Sequence, residues 1–559
     1  MSFRFIDISR PLEASDEMGT DDINVIYQFF IPSDKKRYRE IKECLMHNIN
    51  NTYVDKVILL NERVYSAEEL GLKSLNKVEQ VDIGKRLTFA EAFRQIRERK
   101  IKGYNVIINS DIFVDNTINK LRSSNIDKQK IMLAQLRHNY ESGTPFRNAR
   151  LFGPRFDSQD AWITHSNFNP SEKECALFGF YFGTPGCDNK LVYLFKILGY
   201  EVINDPLAVK IYHLHKEVTR NYQHKPLPPP WGLITAATID ITDHISTLGI
   251  DVKMAYNHTN RYRSFQFNGD NILFGKYILD KLNKKQHFVI PRIAGIENNY
   301  AMIGLNTKNR SLQGYEKRYI AQTSGNMKRN AGIKLESMND VKLYSDLYLS
   351  AFRNCEIYTG WEPWGDVYSC IKDSHNEVRK IFPDKKILWG FVFDIFHYIN
   401  AMPWTFTLRG KRILIVSSFA DSMREKDGIR EKIYGIDLFP DCKLMYITPP
   451  QTQADEPSNG FKVELDAFKQ QLDSISHNYD VALVAAGGYG NLICDYIYNT
   501  GHSAIYVGGV LQMYFGIVGQ RWIRERSDVI RHYINEHWTR PSDHEKPKNH
   551  SIIERNCYW

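Results

Sequence analysis

The chain of 559 residues is 43% hydrophobic, 25% charged and 13% aromatic, a globular composition that excludes disordered, collagenous and low-complexity classes and predicts two large or three ordinary domains. Its net charge of +8, from 73 Lys and Arg against 65 Asp and Glu, is spread along the chain. That suits anionic small molecules or a transient membrane-surface contact and argues against nucleic acid as a partner.

Eight cysteines without a C-x-x-C pair lack the spacing of a zinc ribbon and point to a reducing compartment. The first residues carry no apolar core of signal-peptide type. The most apolar late stretch, Ala504 to Val518, is too short to span a bilayer. A cytoplasmic protein, at most peripheral to a membrane, is therefore expected.

In chain order, INVIYQFF, VDKVILL, KVEQVDI and YNVIINS read as strands, with RYREIKECLMHNI and TFAEAFRQIRERK as helices between them. Strands alternating with helices predict an α/β sheet, whose ligands sit beyond the carboxyl ends of its strands. There stands NSDIFVD, Asn109 to Asp115. Asp111 and Asp115 are candidate ligands for Mg²⁺ or Mn²⁺ or for a sugar nucleotide, since carboxylate oxygens suit hard divalent cations. The alternative is an Asx-type turn in which Asp115 caps a helix from Asn116 to Arg122. Further on, SQDAWI holds Asp160, GCDNK places Asp188 at a helix start, and YHLHKE puts His213 and His215 on one face of an extended segment.

KPLPPPWG, Lys225 to Gly232, predicts a stiff boundary. The expected organisation is a first domain over 1–225, a proline-rich linker over 226–255 and a second α/β domain over 256–559. The latter's front part, to about Met402, is less regular and rich in Tyr, Trp and Asn, a composition suited to sugar stacking. RILIVSS, KLMYITP, YDVALVAA and SAIYVGG then read as strands. Between the last two, Gly487, Gly488 and Gly490 either let the backbone approach a phosphate at a helix N-terminus or serve a structural turn. Gln512 and Arg521 fall after the final strand, where a pocket or a packed loop is expected. The closing Cys557, Tyr558 and Trp559 should pack back onto this domain, because exposed aromatics are costly.

Taken in order over Ile23 to Tyr222, INVIYQFF, the ILLNE strand end, GKRLTFAEAF, NSDIFVD, LAQLRHN, SQDAWI, GCDNK, NDP and HLH resemble glycosyltransferases of the GT-A fold, with a mixed sheet. The resemblance implies a nucleotide-sugar donor bound through Mn²⁺ or Mg²⁺. Asp111 and His215 would be metal ligands, Asn109 and Asp115 would flank the donor, and Arg86 and Arg137 would neutralise the leaving diphosphate. Asp160 is the candidate general base of an inverting transfer, with Asp188 its rival. NSD departs from a strict Asp-x-Asp, because Ile112 and Phe113 follow Asp111.

The second domain more distantly resembles GT-D glycosyltransferases of polysaccharide biosynthesis. RIAGIE, Arg292 to Glu297, stands where that class carries RxGDGE, keeping Glu297 but replacing the preceding acid by Gly295. Both domains are thus expected to be Rossmann-like. The leading functional expectation is transfer of a sugar to a glycan or lipid-linked acceptor. The alternatives are a bifunctional enzyme with two transferase sites and a non-catalytic protein that binds glycans or nucleotides.

Overall fold

The computed structural model describes residues 21–124, 126–153, 155–214, 225–236, 264–267, 270–360, 374–554 and 556–559. They divide into two compact units, one running to Leu273 and including His397–Met402, the other comprising Phe274–Phe396 and Pro403–Trp559.

The strands of the first unit are β1 (Ile23–Tyr27), β2 (Lys56–Asn61), β3 (Val78–Asp82), β4 (Tyr104–Ile108), β5 (Ile112–Val114), β6 (Ile131–Gln135), β7 (His138–Asn139), β8 (Arg150–Leu151), β9 (Ala161–His165), β10 (Glu201–Ile203) and β11 (Ile211–His213). Seven of them form a mixed sheet in the order β10-β6-β9-β4-β1-β2-β3. Within it only β9 runs antiparallel, against both β4 and β6. The central strands are apolar without alternation because both faces are covered: all five residues of β1 and of β4 are buried.

The helix Lys35–Asn50 is capped by Asp34, which accepts from the Lys36 amide, and buries Ile41, Cys44, Leu45 and Asn48, one stripe at helical spacing. From it, Asn48 donates to the Ile112 carbonyl and accepts from the Val114 amide, each at 3.1 Å, which aligns β5. β5 then pairs antiparallel with β11 in a small sheet of order β5-β11-β7-β8.

Residues 231–234, expected within the linker, instead form β12 (Trp231–Ile234), which pairs in parallel with β13 (Ser264–Phe267). β12 lies so close to the helix Cys187–Ile197 that a Cβ on Gly232 would stand 2.7 Å from the Tyr193 amide nitrogen. This part of the proline-rich stretch is therefore structure rather than spacer; residues 237–255 of the expected linker lie outside the described residues.

In the second unit, β14 (Val289–Ile290), β15 (Ile357–Gly360), β16 (Lys386–Trp389), β17 (Arg412–Ser417), β18 (Lys443–Ile447), β19 (Val481–Ala485) and β20 (Ser503–Tyr506) follow. Five make an all-parallel sheet, β14-β20-β19-β17-β18, while β15 and β16 pair separately. The fold is α/β in both units. The front part expected to be irregular holds three long helices, Gly295–Asn306, Gly314–Ala331 and Met338–Asn354. The first is buried on nearly every side from Ile296 to Gly304, which erases the amphipathic period that would announce it. Among the described residues no helix is long and apolar enough to cross a membrane.

One buried ion pair tests the packing of the first unit. Lys196 Nζ lies 3.4 Å from Glu201 Oε1, with the two side chains 0% and 1% exposed, and burial pushes the Glu201 carboxyl up to about 6 against the pull of Lys196. Lys196→Ala should lower stability by about 3–5 kcal/mol, whereas replacing both partners by apolar residues should recover most of the loss. Urea unfolding of the two variants checks this.

Candidate active site

β1 is flanked by β2 on one side and β4 on the other, so the chain leaves it in opposite directions: a topological switch point. A cleft of about 940 Å³ opens at the carboxyl ends of these strands. It collects Asn109 and Asp111 after β4, Arg137 after β6, Asp160 before β9, Arg86 after β3 and Asp188 at a helix start. With His213, seven residues named from the sequence thus meet in one place, joined by Arg37.

Asp111 is 8% exposed. Its Oδ2 accepts from Arg37 Nη2 at 2.6 Å and lies 3.2 Å from His213 Nε2. The small sheet makes this meeting: His213 pairs with Ile112 across β5 and β11, and the Leu214 amide donates to the Asp111 carbonyl. His215, the histidine expected to bind metal, lies outside the described residues; it is His213 that reaches Asp111. Arg37 went unrecognised because KKRYRE is a run of cations in which nothing distinguishes one.

A carboxylate and an imidazole converging on one point are suitable donors for Mn²⁺ or Mg²⁺, which commonly take their remaining ligands from water and substrate phosphates. Among the described residues no further Asp, Glu, His or Cys completes a three-ligand set in this cleft. Asp111 and His213 would hold such a cation, and Arg37 already places one positive charge on Asp111.

The other two carboxylates differ in their partners. Asp160, 8% exposed, accepts from Arg137 Nη1 at 2.8 Å and from Asn109 Nδ2 at 3.3 Å. The Arg137 guanidinium also lies 4.0 Å from the centre of the Phe152 ring, so its position is held from two sides. Asp188 sits in the first turn of the helix Cys187–Ile197, after Gly186 in the left-handed conformation (φ 80°). It accepts from the backbone amides of Asn189 at 2.9 Å and Gln159 at 3.3 Å. Burial, with the charge of Asp160 adding to it, pushes its carboxyl from 3.8 up to about 7, against those two hydrogen bonds. Arg86 donates to the Phe182 carbonyl at 3.0 Å and lies over the Tyr181 ring, tying the β3 end to the glycine turn.

Asp115 takes its other reading and does not line the cleft. Its carboxylate caps the 3₁₀ helix Asn116–Ser123, accepting from the Thr117 amide at 2.9 Å and the Tyr212 hydroxyl at 2.9 Å. Four residues beyond the end of β4 the chain has already turned into β5, which carries Asp115 away from the strand ends.

In the second unit, Arg292, Glu297, Gly487 and Arg521 line a separate cavity of about 290 Å³. Gly488, Gly490 and Gln512 do not. A Cβ on Gly488 would meet Ile333 Cγ1 at 2.4 Å and one on Gly490 the Tyr506 ring at 2.4 Å, so these two glycines permit packing. Gln512 donates to the carbonyls of Ile517 and Tyr558. The closing residues pack back as expected: Cys557 is 1% and Trp559 5% exposed.

No protein-family model and no curated protein matches the chain. Among solved structures, it is similar to GalNAc-T7 with UDP, GalNAc and Mn²⁺ (12% identity, TM-score 0.26, 37% of this chain and 45% of that one). It is also similar to the mannosyltransferase PcManGT from Pyrobaculum calidifontis in complex with GDP-Man and Mn²⁺ (13%, 0.25, 38% and 63%). A third is a glycosyltransferase (DUF1792) from Streptococcus sanguinis (14%, 0.25, 48% and 94%). The chain spans less than two thirds of the first two. At such scores the functional reading rests on the residues of the cleft.

The two aspartates of NSDIFVD should separate experimentally. Asp115→Ala removes a cap and should cost about 1 kcal/mol in thermal or urea unfolding while leaving ligand affinity at the cleft unchanged. Asp111→Asn should weaken binding at the cleft in titration calorimetry and, because Arg37 and His213 lose their carboxylate, also lower stability. Equal losses of affinity would return Asp115 to the site.

Proposed function

We propose that the first unit is a glycosyltransferase that moves a sugar from a nucleotide-sugar to a hydroxyl of a glycan or lipid-linked acceptor, with inversion at the anomeric carbon. The observation that carries this reading is the convergence, at the switch point of the sheet, of paired carboxylates, several guanidiniums and one carboxyl that forms no ion pair among the described residues. Arg37, Arg86 and Arg137 supply positive charge for a diphosphate in a cleft large enough for a nucleotide-sugar. A Mn²⁺ or Mg²⁺ held by Asp111 and His213 would supply further Lewis-acid neutralisation of the leaving group.

In this reading Asp188, rather than Asp160, is the base. Asp160 is committed to Arg137 and Asn109 and serves to fix that guanidinium. Asp188 has two backbone donors and a carboxyl raised to about 7, so its basicity matches the working pH of a general base. The acceptor oxygen attacks the anomeric carbon as its proton passes to Asp188, and the bond from that carbon to the diphosphate oxygen breaks with the electron pair leaving on the diphosphate. The second unit is an accessory domain in this scheme.

The full chain, offered UDP-, GDP- and dTDP-sugars with Mn²⁺ and candidate glycan acceptors, should yield a product heavier by one sugar in mass spectrometry. Asp188→Asn should lower kcat by roughly 10²–10⁴-fold with little change in donor affinity. A base must be unprotonated to act, so the parental rate should fall as pH drops below about 7. Parental turnover in Asp188→Asn would overturn the assignment.

A further inference from the structure

The cavity of the second unit has no part in that reaction, yet it is built like a ligand site. It lies across the carboxyl ends of β14, β20, β19 and β17, where β17 parts β18 from β19 and the strand order changes direction. The helix Gly295–Asn306 starts at it, with an N-cap, Ala294, that has no side-chain acceptor to offer its first amides. Beside this helix end Arg292 donates to the Val507 carbonyl at 2.5 Å. The second guanidinium of the cavity, Arg521, is paired with Glu554 and adds no net charge.

Two buried polar groups on the cavity wall point independently to a ligand. Asn330 Oδ1 is buried and has no donor among the described residues, while Glu297, 9% exposed on the same wall, accepts from its own backbone amide and feels the charge of Arg292. Among the described residues the indole Nε1 of Trp559, 5% exposed, likewise has no acceptor. Such groups cost free energy when left unsatisfied, and a hydroxylated ligand satisfies both. Asn326 and Asn330 from the helix Gly314–Ala331 add amides, and Tyr506 adds an aromatic wall. At about 290 Å³ the cavity stands at the lower edge of the roughly 300–1,000 Å³ range of small-molecule pockets, which suits one sugar ring and not a base, ribose, diphosphate and sugar together.

We propose that this cavity binds a single acidic sugar, its carboxylate or phosphate on Arg292 and the first turn of the helix Gly295–Asn306, its hydroxyls on Glu297, Asn330 and the Trp559 indole. Burial pushes the Glu297 carboxyl up to about 7, with Glu554 adding to it against its backbone hydrogen bond and the charge of Arg292, so near neutral pH its protonated form is available to donate to a ligand hydroxyl.

Titration calorimetry of the full chain with glucuronate, glucose 1-phosphate, glucose and UDP-glucose tests this. One of the two acidic sugars should bind and glucose should not; which of the two binds identifies the acid. Arg292→Gln should weaken binding about tenfold or more. Asn330→Leu, on a half-exposed helix face and gentler on the fold, should also weaken it, while Asp188→Asn in the other unit should leave it unchanged. The proposal fails if neither acidic sugar binds, if binding persists in both Arg292→Gln and Asn330→Leu, or if UDP-glucose proves to be the ligand whose binding Arg292→Gln abolishes.

Discussion

The contact of Asp111 with Arg37 and His213 is the interaction around which the first unit's cleft is arranged. A carboxylate nine-tenths removed from water has to be paired, because the cost of an isolated buried charge exceeds anything local packing returns. Asp111 meets this with Arg37 at 2.6 Å, and Asp160 meets it with Arg137 at 2.8 Å. Among the described residues Asp188 forms no ion pair, and burial raises its proton affinity instead. Three acids of one type thereby acquire different chemistry, and the two guanidiniums held in place by the first two acids remain beside any anion that enters.

These pairings follow from the topology. The switch at β1 opens the cleft and sets β4 and β2 on its two sides. The helix Lys35–Asn50 braces β5 through Asn48 while carrying Arg37 in its first turn, so one helix both positions the strand after Asp111 and neutralises Asp111 itself. The second unit places its cavity at the corresponding point of a different, all-parallel sheet. Its walls come from strand ends, one helix N-terminus and the last residues of the sequence, so the aromatic pair Tyr558 and Trp559 both covers apolar surface and lines the cavity.

Local signals account for what could be read in advance. Apolar runs without alternation identified β1, β2, β4 and β17, because strands covered on both faces need no polar side. The glycine before Asp188 identified a helix start, and acids at a strand end identified a cleft. Other elements gave no such signal. The prolines before Trp231 suggested a spacer and concealed β12, whose stability comes from the helix Cys187–Ile197 and from β13. The helix Gly295–Asn306 is buried all round and shows no period. Asp111 and Asp115 look equivalent in NSDIFVD, as do His213 and His215 in HLH, since four residues or two along a chain do not tell which way it turns.

By itself the sequence determined the α/β class, the strand ends at which ligands are to be sought, and acids that gather there, Asp111, Asp160 and Asp188, while Arg86 and Arg137 were named only through the resemblance to GT-A glycosyltransferases. The class, the strand ends and the acids follow from hydrophobic runs and turn chemistry, which are local. Only the tertiary structure decided which charge meets which, bringing Arg37 and His213 to Asp111, giving Arg137 to Asp160, sending Asp115 to a helix cap and leaving Asp188, among the described residues, outside any ion pair. The two Asp111 contacts join segments 74 and 102 residues apart and the Asp160 pair spans 23, and a buried charge takes its character from the partner it finds there.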